Sequence, residues 1–207
     1  MSQENKDTEL NGADIFSDWD NLTGIQTGAS SAGEISLDNL MTDGGEDHWL
    51  HLFQKTNLSG MDLVALRLLP DYTNNFKAEQ AQLKAQTHLF LINLAHTHKN
   101  DLRIAGLSEE QIDQLSMGIL PINWTIHLKY PLAYGGTITI NNLVLMPQQP
   151  FHEDLHHFLN QQTITDAGVI TPNILYVPAP KSPVYIPFNS NEMATQVIHF
   201  ETTGGNK

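Results

Sequence analysis

Three histidines, His127, His152 and His156, stand within residues 127–156 of a chain that has no cysteine. Without thiolates, any transition-metal site must be built from imidazole, carboxylate and water. His152 and His156 have i, i+4 spacing, which on a helix puts both rings on one face about 6 Å apart. A third imidazole from a neighbouring element would complete a donor set for one divalent ion. Zn, Mg, Mn or Ni all remain open, with positions left over for water and a phosphate oxygen. The chemistry of such a centre is metal-assisted hydrolysis. Ten of the 207 residues are histidine, so the pair alone carries little weight. The elements around it must make the case.

Residues 124–129 alternate in strand fashion, Gly135-Gly136 permits a tight backbone excursion, and residues 142–146 form a second apolar strand stopped by Pro147. After Pro150, residues 152–160 have helix-forming character. A hairpin with this helix packed across it brings His127 to the point that His152 and His156 face.

The run Trp124-Thr-Ile-His-Leu-Lys-Tyr-Pro-Leu-Ala-Tyr-Gly-Gly-Thr, then Asn142-Leu-Val-Leu, then Pro150-Phe-His-Glu-Asp-Leu-His resembles the HNH, or ββα-metal, nuclease superfamily in its toxin-like branch. Relatives there read His-His-Lys-hydrophobic-Pro-Leu, Gly-Gly-Thr, Asn-Leu-Val-Leu and Pro-Phe/Tyr-His-x3-His. The likeness covers residues 106–160, counting the lead-in from Gly106 to Pro121. It implies that His127, His152 and His156 ligate metal and that the Asn142 side chain ties the excursion loop to the backbone and orients the site. Two positions depart from the pattern. Leu128 occupies the place of the general base, and Ile138 stands where many relatives carry Asn. His127 lies four residues before Pro131, which is the ligand's place and not the base's. Loss of a positioned base costs on the order of 10²–10⁴ in rate. His157 is the nearest substitute, but on a helix it points about 100° away from His156.

The resemblance therefore implies a metal-dependent endonuclease acting on DNA or RNA, of bacterial toxin or secreted-effector type. The alternative is a pseudonuclease that keeps the metal scaffold as a binding or regulatory protein. Implied partners are nucleic acid and a cognate immunity or carrier protein.

The net charge of −13 is unevenly spread. Residues 1–49 hold eleven acids against Lys6, and residues 50–207 hold 12 acids and 9 bases. The main body is thus nearly neutral, and its charge neither favours nor vetoes a polyanion. Residues 1–48 read as an acidic, disordered leader. No basic region followed by an apolar stretch marks a cleavable signal, and no apolar run is long enough for a bilayer. Synthesis in the cytoplasm is expected, with no membrane partner; a specialised secretion system could deliver the protein.

The expected fold class is α+β: a helical subdomain over residues 49–120, the HNH-like module over 121–162, and a Pro-rich extended segment over 163–207. Helices are expected over 49–58, 61–69 and 75–98. His88, His96 and His98 on the last of these read as a polar face, since no carboxylate accompanies them at ligand spacing. Ser108 and Gln111 form a capping box with Leu107 and Ile112 as a hydrophobic staple, and Gly118 ends that helix. Pro172, Pro178, Pro180, Pro183 and Pro187 suit edge strands and polyproline segments. His199 reads as a packing or surface residue. Phosphate-cradling Gly-rich motifs, a Gly-x-Ser-x-Gly elbow and basic aromatic stripes are absent from the sequence.

Overall fold

The seven residues Met61–Arg67 form strand β1, with Leu63, Val64, Ala65 and Leu66 all buried. Their apolar run is continuous because the strand is covered on both faces. A short run of that kind has no period to separate strand from helix, and the helix expected over 61–69 is corrected to a strand. Its partners lie more than a hundred residues away. β1 pairs antiparallel with β6 (Ile174–Pro180) and parallel with β7 (Val197–Phe200), giving the sheet order β6-β1-β7. β6 carries Pro178 and Pro180 and sits at an edge, where a missing N–H costs no ladder bond.

The structure is a computed structural model and describes residues 45–69, 76–165, 168–187 and 197–200. It is an α+β protein. Helix α1 (Gly45–Phe53) begins inside the span expected to be leader; residues 1–44 lie outside the described residues. Helix α2 (Phe76–Thr97) buries Leu83, Phe90, Leu91 and Leu94 along one stripe. Its end at His98 is followed directly by α3 (Lys99–Ile104), a turn the sequence pattern does not announce. No described helix is long and apolar enough to cross a membrane.

Helix α4 (Glu109–Ser116) carries the expected capping box, and Leu107 and Ile112 are both buried in the same cluster. At its other end the Ile119 N–H bonds to the Gln114 carbonyl at 2.9 Å and the Gly118 N–H to Leu115 at 2.8 Å. This Schellman arrangement needs a left-handed residue, and Gly118 has φ +73° with the His88 ring where a Cβ would go.

Strands β2 (Trp124–Leu128) and β3 (Leu143–Pro147) form the antiparallel hairpin, and helix α5 (Glu153–Thr163) follows a turn over Gln148–His152. The hairpin is a wall between two hydrophobic clusters. Val144 and Met146 face one, shared with α1, β1, α5 and β6; Ile126, Leu143 and Leu145 face the other, shared with α2, α3 and α4. Each fully buried leucine there contributes roughly 1.5–3 kcal/mol. The first cluster draws on all three of the expected segments, 49–120, 121–162 and 163–207. Beyond the small pair β4 (Ile164–Thr165) and β5 (Gly168–Val169), the Pro-rich segment also braces the hairpin. The Leu145 N–H bonds to the Pro183 carbonyl and the Tyr185 N–H to that of Leu145, both at 2.9 Å.

Candidate metal centre

Strand alternation turns His127, opposite Val144, toward α5 while its neighbours Ile126 and Leu128 pack on the second cluster. His152 is the N-cap residue of α5 and His156 lies one turn on. Wall and helix therefore converge on one point. The His127 ring centroid is 5.4 Å from that of His152 and 5.3 Å from that of His156, and the two helix rings are 4.3 Å apart. Their Nε2 atoms share a hydrogen bond of 2.9 Å. One ligand nitrogen from each of the three residues lies within 4.8 Å of the others. His127 is 5% and His152 4% exposed, with His156 half-buried.

Burial, and then the neighbouring His156 and His152, hold His127 well below the ordinary imidazole range. Burial, reinforced by His156, pushes His152 down to about 3. At neutral pH both imidazoles are uncharged, the protonation state that ligation requires. An ion about 2.0–2.1 Å from each nitrogen would hold tetrahedral ligands roughly 3.3 Å apart. The 2.9 Å pair must open slightly, a shift within the reach of side-chain torsions. The three histidines could hold a metal ion. A set of imidazoles without carboxylate suits Zn or Ni better than Mg, which prefers oxygen.

Asn142, 5% exposed, closes the excursion loop. Its Oδ1 accepts from the Tyr130 N–H at 2.9 Å, and its Nδ2 donates to the carbonyls of Tyr130 at 2.9 Å and Thr137 at 3.0 Å. A Cβ at Gly136 would collide with the Tyr130 carbonyl and crowd Asn142 Nδ2. That explains the need for glycine at this crossing.

The remaining sequence candidates fall elsewhere. Leu128 is half-buried against the second cluster, on the side of the wall away from His127, and Ile138, 6% exposed, belongs to that same cluster. His157 is exposed and pairs with Gln161 Nε2 at 3.1 Å. His88 and His96 are exposed, and His98 contacts Asp101 at 3.0 Å; none joins the centre. His199 lies in β7 opposite Ala65. The Lys129 N–H bonds to the Asn142 carbonyl at 2.8 Å, extending the ladder one residue past β2. Lys129 is half-buried, and burial lowers its ammonium from the usual lysine range.

No protein-family profile matches the chain, and no solved structure matches it. A curated protein of Escherichia coli K12, the uncharacterized protein YhhZ, is similar to it, 27% identical over 143 residues that cover 66% of this chain and 34% of YhhZ. The chain thus spans about a third of that relative's length.

Proposed function

We propose that residues 121–162 form an HNH-like, ββα-metal centre and that the protein is a metal-dependent endonuclease of the bacterial toxin or effector kind. The observation that carries this reading is the convergence of His127 from the hairpin with His152 and His156 from the helix. The loop between the strands is laced by Asn142 in the manner the resemblance implies. A divalent ion there would supply charge neutralisation at a phosphate and lower the pKa of water. The chain's own part is to hold three imidazole nitrogens in a largely buried corner and to fix the loop between the strands. Hydrolysis would join a water oxygen to phosphorus, break one phosphorus–sugar oxygen bond and return a proton to the leaving oxygen. DNA or RNA is the substrate class. A cognate immunity or carrier protein would be the partner, and a specialised secretion system the route of delivery.

A second reading, the pseudonuclease, has a specific observation in its favour. Among the described residues the three histidines form the cluster without a further carboxylate or imidazole, and Leu128 packs into a core on the other side of the wall. A plasmid-nicking assay with Mg2+, Mn2+, Ni2+ and Zn2+ separates the two readings. Wild type and Leu128→His are compared, with a His152→Ala, His156→Ala double variant as control. The nuclease reading expects cutting that the double variant abolishes, and no gain from Leu128→His, whose side chain stands on the other side of the wall from the histidines. Metal binding without cutting in either protein supports the pseudonuclease.

A further inference from the structure

We infer that the outer face of α2 is a docking surface for a second copy of this chain, the two helices lying antiparallel across a twofold axis at His88 and Leu89. The inference is independent of the nuclease reading.

At 100° per residue, Ala81, Ala85, Leu89, Ile92 and His96 fall within an arc of about 80°, opposite the buried Leu83, Phe90, Leu91 and Leu94. Leu89 is 56% exposed, Ala81, Ala85 and His96 are exposed, and Ile92 is half-buried. The outward face of a surface helix is ordinarily charged, and a helix apolar on both faces is covered on both. This stripe holds no carboxylate, lysine or arginine. The apolar surface is also wider than one helix. The His88 ring lies over Gly118, so Met117, 60% exposed, and Ile119, 43% exposed, stand beside the stripe. The pattern along the stripe matches itself, as an isologous contact requires. With the axis at His88 and Leu89, Ala85 lies opposite Ile92 and Ala81 opposite His96, small against large, and Leu89 meets its own copy. Lys84, at the margin, stands about 13 Å from its copy along the helix axis, beyond the Debye length of about 8 Å at physiological salt. A net charge of −13 opposes self-association, and an uncharged strip is where that cost is least. Contact along roughly 22 Å of helix, widened by Met117 and Ile119, sits at the low end of the roughly 1,200–2,000 Å² of a specific interface. A dimer of micromolar strength follows. α2 packs on the second cluster and His127 faces away from it, so the dimer leaves the candidate metal centre uncovered.

The test is analytical ultracentrifugation of the full chain in chelator from about 1 to 100 µM, a range that brackets the Kd expected of a small interface. Wild type is expected to pass from monomer to dimer across it. Leu89→Asp and Leu89→Lys each bring like charges together at the axis and should each weaken association at least about tenfold. An equimolar mixture of the two variants should recover dimers, because opposite charges then meet. Leu89 is exposed in the single chain, so both variants should keep the wild-type melting temperature at the lowest concentration. A wild type that stays monomeric at the top of the range would overturn the inference, as would dimers that Leu89→Asp leaves unchanged. Weakening without recovery in the mixture would overturn the antiparallel pairing. A chain lacking residues 1–44 should dimerise as wild type does. Dimers that appear only after that deletion would overturn the second copy as occupant and assign the face to the leader.

Discussion

Lowering the pH in the absence of metal should unfold this protein through its own candidate centre. His152 is 4% exposed and its pKa is pushed down to about 3 in the fold, whereas an unfolded histidine takes up a proton near pH 6.5. Below pH 6.5 the unfolded chain therefore binds a proton that the folded chain does not. Stability then falls by about 1.36 kcal/mol per pH unit for that residue. The loss begins at pH 6.5 and ends near pH 3; above pH 6.5 there is no proton difference and no slope. By pH 5 His152 alone costs roughly 2 kcal/mol, a sizeable part of a total that is typically 5–15 kcal/mol. His127, also buried and depressed, adds in the same direction, and no carboxylate in the cluster opposes it. The assay is urea denaturation in chelator from pH 8 to pH 5, for wild type and His152→Gln. Wild-type midpoints should fall with acidification and the variant's should fall less steeply. Identical slopes, or a wild-type midpoint unchanged between pH 7 and pH 5, would refute the burial argument.

Asn142→Ala removes three hydrogen bonds and leaves the Tyr130 N–H and carbonyl and the Thr137 carbonyl to find other partners. It should cost roughly 2–4 kcal/mol in chemical denaturation. Gly118→Ala puts a Cβ at φ +73° and into the His88 ring, so destabilisation of at least about 1 kcal/mol is expected; a His88→Ala partner change should relieve part of it. Leu128→His should itself lower the melting temperature, because a polar ring replaces an apolar side chain at the second cluster. Its activity is therefore best compared well below that temperature.

The hairpin, the helix after it and the capped α4 were legible because each is local. Alternation over β2, the capping box at Ser108 and the i, i+4 histidines on a helix are read within a few residues. Element ends moved slightly, with Asn142 in a turn and not in β3, and His152 at the cap of α5. What was not legible was non-local. β1 looks helical until β6 and β7 are known to cover its edges. The same holds for the two departures from the family pattern. Leu128 and Ile138 read in sequence as lost functional groups, while the fold uses both as apolar contacts of one cluster with α2 and α4.

His127, His152 and His156 are proposed to form one metal centre. Titration calorimetry with Zn2+ and Ni2+ tests it most directly, on wild type and on the His152→Ala, His156→Ala double variant. About one ion per wild-type chain is expected, held by three imidazoles, with weaker binding of Mg2+ and no saturable site in the double variant. The same stoichiometry and affinity in both proteins would contradict it.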